Sequence, residues 1–381
     1  MKAIINGKII TEDSILENKV LLFDEKIIDI VDEKNLDRKT TYVIDAEGNY
    51  VSPGFIDVHI HGFSGADTMD GTLDALKTIS RDITKNGVTS FLPTTMTMDR
   101  QKIYTALDTI REASTKCLGG ANILGAHLEG PFISEKFKGA QAKTHILKPD
   151  YDFIKDYIDI IKIITLAPEE DENLEFIKTV KKNSDIVLSI GHSNASYDEA
   201  VNAIKNGINH VTHMFNAMTP LTHRNLGVIG AIFNNNIPSE IIADKIHLHP
   251  DIYKILIKTI GTNNITLITD CMRAGGLGDG VSELGGQKVI VKDDSARLEN
   301  GTLAGSILTL NKAIKNVYEN TDLKLNEAVK LATINPAKNI NVFDKKGSLN
   351  NGKDSDITIF NDAFEIKLTI IGGDIIENSN C

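Results

Sequence analysis

Residues 51–62 read Val51-Ser-Pro-Gly-Phe-Ile-Asp-Val-His-Ile-His-Gly62, and the fold is read outward from them. An apolar run, Phe55-Ile56-Asp57-Val58, leads into His59 and His61. In a β-strand alternate side chains share a face, so both imidazoles point one way while Val58 and Ile60 point the other. Two neutral imidazoles converging at a strand end are good ligands for a borderline divalent metal. Taken alone, the pair reads equally well as two surface histidines. The rest of the chain decides.

Downstream, apolar strands alternate with amphipathic stretches as far as residue 345. Strands are expected at 54–60, 90–93, 122–128, 161–166, 186–190, 210–213, 239–243 and 265–269. Helices are expected at 73–86, 171–183 and 197–206, two of them stopped by Asn86-Gly87 and Asn206-Gly207. Buried strands with helical crossovers predict an α/β fold, a (β/α)8 TIM-like barrel. The pattern alone leaves a doubly wound open sheet as the alternative. A glycine-rich stretch, 270–305, interrupts the alternation; it carries a predicted hairpin and suits either a mobile lid or a solvated loop. Helices resume at 309–320 and 325–333.

Both ends of the chain are β-rich. Asn6-Gly7 and Asp24-Glu25 give hairpin signals near the start, and 356–360, 365–371 and 373–377 read as strands near the end. Neither end has residues enough for its own core. They are expected to pair into one small β-sandwich domain, 1–51 with 346–381, around an inserted barrel, 52–345.

A net charge of −11, with no block of Lys or Arg, argues against a nucleic-acid partner. No apolar stretch reaches the roughly 18 to 20 residues of a membrane span, and the short apolar run of MKAIINGKII does not suit a signal peptide. Cys117, Cys271 and Cys381 are an odd number without paired spacing, which suits a reducing cytosol. A cytoplasmic protein is expected.

The other metal-type residues fall at strand ends. Glu129 closes one expected strand, His192 follows another, His213 closes a third and Asp270 follows the eighth. Each could serve a local purpose, as a turn cap or a satisfied core histidine. Their joint placement at the C-terminal ends of different strands is where such barrels carry their chemistry. Asp270, after an apolar strand, suits a base that takes a proton from an activated water and passes it to a leaving amine. No Gly-x-Ser-x-Gly elbow or P-loop supports another mechanism. His127 shares a strand face with Glu129 and reads as a supporting residue.

These residues resemble the metal-dependent amidohydrolase superfamily. Gly125-Ala-His-Leu-Glu-Gly-Pro-Phe, Gly191-His-Ser-Asn-Ala, His213-Met-Phe-Asn-Ala-Met, Ile242-Ala-Asp-Lys-Ile-His and Leu303-Ala-Gly-Ser are similar to its N-acetylglucosamine-6-phosphate deacetylase family, along essentially the whole chain. The resemblance implies hydrolysis of N-acetyl-D-glucosamine 6-phosphate to D-glucosamine 6-phosphate and acetate, in amino-sugar catabolism and cell-wall recycling. It implies one or two divalent ions per subunit, zinc or iron foremost, manganese or cobalt besides. Glu129, His192 and His213 would hold the first ion, with His59 and His61 completing a second site that Glu129 bridges. Asp270 would be the catalytic base. Substrate contacts would come from Ala140, Gln141, Asn216, Ala217, Leu303, Ala304 and Gly305, with Arg224 and His247 on the phosphate. Arg224 also has its own rationale, a planar fork matched to phosphate oxygens. Some members carry a histidine where Gln141 stands; the amide donates a hydrogen bond but does not titrate near pH 7. A homodimer is implied, because related enzymes borrow a phosphate contact from a neighbouring subunit. The readings weighed against this are the galactosamine epimer as substrate, cyclic-amide hydrolysis and a metal-free binding scaffold.

Overall fold

The structure is a computed structural model describing residues 1–37 and 41–376; Cys381 lies outside these residues. Phe55–Ile60, Val88–Pro93 and Asn122–Ile123 form a three-stranded parallel sheet. Ala126–Glu129, Ile161–Leu166, Val187–Ile190, His210–Val211, Ser239–Ile242 and Ile265–Ile268 form a six-stranded parallel sheet. Single parallel bridges, Thr94 to His127 and Ile60 to Cys271, tie the two sheets together. Nearly every strand residue is buried. Burial on both faces is why these strands read as continuous apolar runs rather than alternating ones.

Every expected strand is present, with two differences. The segment 122–128 breaks at Gly125, whose φ of +142° turns the chain. Its first piece pairs with Val88–Pro93 and its second with Ile161–Leu166. The strand expected at 210–213 stops at Val211, and His213 leaves it with φ +30°.

The helices form where caps allow. Leu73–Asp82 starts at Thr72, whose hydroxyl accepts the Ala75 N–H at 3.2 Å, and the chain continues through a tight turn to Asn86. Tyr197–Asn206 opens with a reciprocal capping box between Ser196 and Glu199. The helix expected from 171 starts later, as Glu175–Asn183. Asn173 and Leu174 adopt positive φ, and the Asp171 carboxylate caps the N–H groups of Phe176 and Ile177 at 3.0 Å.

Both chain ends share one sheet. Lys2–Ile10 pairs with Ile15–Phe23, Tyr42–Asp45 and Tyr50–Pro53. Tyr50–Pro53 pairs with Ile357–Phe360, which continues to Ile366–Ile371 and Asp374–Ile376. Ile4, Ile9, Leu21, Phe23, Val51, Ile357, Ile359 and Ile370 bury a shared apolar cluster. The Asp24-Glu25 signal does mark a hairpin. Asn6-Gly7 does not: the strand runs through it with a register shift, Asn6 at φ +53°. A Cβ on Gly7 would meet the Val51 side chain at 2.5 Å, so the glycine serves close packing at a bulge.

The glycine-rich insertion is folded. Gly280–Leu284, Gln287–Lys292 and Ser295–Leu298 make a three-stranded antiparallel sheet, one strand more than the expected hairpin. Leu284, Val289, Val291, Ala296 and Leu298 pack it onto Met96 and Met272. Among the described residues no helix is long and apolar enough to cross a membrane.

Candidate metal centre and substrate cleft

His59, His61, Glu129, His192, His213 and Asp270 are all buried, and all lie at or just beyond the C-terminal ends of parallel strands. His192, His213 and Asp270 have φ of +48°, +30° and +49°. This region costs a non-glycine residue about 1–3 kcal/mol, a cost found where a site needs a particular side-chain direction. Here the sharp exit from each strand turns the side chain over the sheet ends toward a common centre.

Glu129 is that centre. Its Oε1 lies 3.0 Å from His213 Nε2, 3.2 Å from His192 Nε2 and 3.5 Å from His59 Nε2. Its Oε2 lies 3.4 Å from His61 Nε2 and accepts the Gln141 amide N–H at 2.7 Å. Asp270 Oδ1 stands 3.2 Å from His61 Nε2 and 3.4 Å from His59 Nε2. Among the described residues three groups of donors lie close enough to hold an ion: His59–His61–Glu129 and Glu129–His192–His213, which share the glutamate, and His59–His127–Glu240 beneath them, where both His127 nitrogens are already hydrogen-bonded to protein oxygens.

The donor chemistry fits divalent cations. His192 Nδ1 donates to Phe137 O at 2.9 Å and His61 Nδ1 to Thr94 O at 3.2 Å, leaving each Nε2 as a lone pair facing the centre. The Nε2 atoms of His192 and His213 lie 3.1 Å apart, 3.2 and 3.0 Å from Glu129 Oε1, so imidazole nitrogens and a carboxylate oxygen converge in a dry site as the donors of a divalent ion do. The electrostatics show how strongly these groups act on one another. Burial alone pushes the Glu129 carboxyl up, yet His59 and His192 hold it well below the carboxylate range. Burial likewise raises Asp270, but His59 and His61 bring it down to about 2. For His59, burial is outweighed by Glu129, Asp270 and Glu240, which lift the imidazole to about 9. Burial and the His59 charge push His127 down to about 3. It stays neutral behind His59, Nδ1 on Val58 O at 3.0 Å and Nε2 on the Thr165 hydroxyl at 2.7 Å.

A cleft of about 520 Å³ opens over this centre, a size suited to a small molecule. Ala140, Gln141, Asn216, Ala217, His247, Leu303 and Gly305 line it, as do His61, Glu129, His192, His213 and Asp270. His247 is held by Asp244: Nδ1 lies 2.6 Å from Oδ2, while Oδ1 caps the Ile246 and His247 N–H groups at 2.8 Å. Two expected contacts lie elsewhere. Ala304 is fully buried in the cluster beneath the inserted sheet, between two cleft-lining neighbours whose side of the chain it does not share. Arg224 is exposed on the loop before Gly227–Asn235 and does not line the cleft of its own chain.

Residues 50–376 match the amidohydrolase family. This chain belongs to that family. It is 41% identical over 376 residues to the N-acetylglucosamine-6-phosphate deacetylase of Bacillus subtilis, covering 96% of this chain and 95% of that one. The crystal structure of N-acetylglucosamine-6-phosphate deacetylase from Pasteurella multocida superposes with a TM-score of 0.93 at 32% identity, covering 99% of this chain and all of that one. A mutant of the Mycobacterium smegmatis enzyme in complex with N-acetyl-D-glucosamine-6-phosphate gives a TM-score of 0.90 at 26% identity, with 98% of each chain covered.

Within this amidohydrolase three further groups reach the site. Lys136 and Arg297 line the cleft with His247, and Glu240 bonds His59 from beneath. Lys136 lies on a short turn and Arg297 on the inserted sheet, so no strand-end pattern marks them. Glu240 is a lone acid inside an apolar strand, Ser239–Ile242. That oddity was the available signal. Gln141 has both ends occupied: its amide oxygen accepts Thr97 N–H at 2.6 Å while its nitrogen donates to Glu129. The amide thus clamps the glutamate, and at most its second N–H is free for substrate.

Proposed function

We propose that this amidohydrolase removes the acetyl group from N-acetyl-D-glucosamine 6-phosphate, releasing D-glucosamine 6-phosphate and acetate. The observation that carries the reading is Asp270 beside two His/Glu ion sites that share Glu129, in a cleft that His247 also lines. The similarity to deacetylases of the gluco epimer favours that substrate over the galacto epimer. The complete donor set disfavours a metal-free scaffold.

Glu129, His192 and His213 would hold one ion, and His59, His61 and Glu129 a second. A bound divalent ion supplies a Lewis acid that acidifies water and polarises the acetyl carbonyl. Nitrogen and oxygen donors without a thiolate suit zinc, iron(II), manganese or cobalt. Asp270, unprotonated through the neutral range, takes the proton of the attacking water. The water oxygen bonds to the acetyl carbon, the C–N bond breaks, and Asp270 returns the proton to the departing amine. Gln141 keeps Glu129 in place throughout. Asn216, Ala217, Leu303 and Gly305 line the cleft where the sugar would lie. Lys136 and Arg297 offer positive charge to the phosphate, and His247, held by Asp244, offers a ring nitrogen beside them. Arg224 would reach a phosphate only in the cleft of a partner subunit, which supports a homodimer.

The same reading takes the two bridged parallel sheets as a closed (β/α)8 barrel, 52–345, carrying a β-sandwich from 1–51 and 346–381. Free Cys117 and Cys271 support work in a reducing cytoplasm, where the product would enter amino-sugar breakdown and cell-wall recycling. Dialysis against a strong chelator is expected to abolish acetate release, and zinc or iron(II) to restore it. Full activity in demonstrably metal-free protein contradicts the reading.

A further inference from the structure

Glu240 is completely buried in the middle of Ser239–Ile242. Its Oε2 accepts from His59 Nδ1 at 3.0 Å and faces the His213 backbone N–H at 3.4 Å. Its Oε1 has no hydrogen-bond partner and stands 3.8 Å from His210 Nδ1. A carboxylate so placed is costly unless positive charge compensates it.

The neighbouring polar groups are committed to one another. His127 Nδ1 donates to Val58 O, so its Nε2 accepts from Thr165 Oγ1 at 2.7 Å. Thr165 then accepts from Thr212 at 2.6 Å, Thr212 from Ser189 at 2.6 Å, and Ser189 from His210 Nδ1 at 3.2 Å. The donors run in a single direction, and none of these hydroxyls is left for Glu240. Its strong partner is His59. Of the four imidazoles in the two ion sites, only His59 has its Nδ1 backed by a carboxylate. His61 and His192 donate to backbone carbonyls, and His213 Nδ1 has no partner.

We propose that Glu240 is a positioning residue for the second cation site, fixing the Nδ1 proton of His59 so that its Nε2 lone pair faces the centre shared with His61, Glu129 and Asp270. Carboxylates behind metal-binding imidazoles orient the ring and raise its basicity as a ligand. Glu129 and Asp270 face His59 Nε2 at 3.5 and 3.4 Å, while Glu240 faces Nδ1 on the other edge of the ring at 3.0 Å. The inference rests on the deacetylase reading only in taking the His59–His61 pair as an ion site.

The test is zinc binding by metal-free wild type, Glu240→Gln and Glu240→Ala, titrated against a chromophoric chelator with bound ions counted by mass spectrometry. Wild type is expected to bind two ions per chain. Glu240→Gln should bind the first as wild type does and the second about 10- to 100-fold more weakly; Glu240→Ala should lose the second more completely. If the alanine variant does not fold, the isosteric glutamine variant decides, its fold checked by circular dichroism. Two ions held at wild-type affinity in Glu240→Gln overturn the proposal. So does equal weakening of both ions, the mark of a merely structural role, and so does a wild type that binds a single ion. Failure of the deacetylase reading would look different: no acetate release from wild type, with the ion counts unchanged.

Discussion

Asparagine at position 270 would keep the side chain's size and remove its capacity to take a proton. Asp270→Asn is therefore expected to lower kcat roughly 10²- to 10⁴-fold while metal content, measured by mass spectrometry, stays at the wild-type level. Near-wild-type turnover would remove Asp270 from its role. The histidine pair is tested differently. His59→Ala with His61→Ala should leave a folded protein that keeps the ion of Glu129, His192 and His213, with reduced but measurable acetate release. Complete inactivity with an intact fold would make the pair essential to the reaction. At this scale the sequence was most legible where a ligand-type residue closes an apolar run, as Glu129 and Asp270 do. It was least legible where a side chain acts from outside that pattern. Arg297 comes from an inserted sheet, and Gln141, which lines the cleft, also spends its amide oxygen and one N–H on Thr97 and Glu129.

Elements set how well those residues are held. The helix Tyr197–Asn206 follows the His192 turn and is fixed at its start by Ser196 and Glu199. Ser196→Ala is expected to cost about 1 kcal/mol, read as a lower urea midpoint with an unchanged m-value. The loop bearing Arg224 carries the prediction on quaternary structure. If that arginine serves a partner's cleft, Arg224→Ala should raise KM for the phosphorylated substrate roughly 10- to 100-fold, in line with one charge-assisted bond, and leave kcat nearly unchanged. An unchanged KM would assign the phosphate to the groups of its own chain. Element boundaries followed local chemistry that spacing does not reveal. Gly125 divides one expected strand between two sheets, and positive φ at Asn173 and Leu174 delays a helix to Glu175.

Across the whole molecule, the terminal sheet and the first parallel strand meet at Asp356. Its backbone oxygen accepts Gly54 N–H at 2.8 Å, and its carboxylate accepts Gly372 N–H at 2.9 Å and Lys346 Nζ at 2.6 Å. Lys346 is buried and also reaches Asp354 at 2.9 Å. Lys346→Met would strand a buried carboxylate and is expected to cost about 3–5 kcal/mol in unfolding free energy; a loss below 1 kcal/mol would show the junction to be dispensable. That the two chain ends would join was legible in their composition, since neither could bury a core alone. The continuous strand through Asn6-Gly7 was not, because the glycine's purpose, room for Val51, depends on a residue far along the chain. If this assembled cleft hydrolyses a specific acetamide, the purified, metal-loaded protein releases acetate. With N-acetyl-D-glucosamine 6-phosphate, stoichiometric acetate and glucosamine 6-phosphate are expected, with a higher kcat/KM than for the galacto epimer. No acetate above the rate of the Asp270→Asn variant would contradict the deacetylase reading.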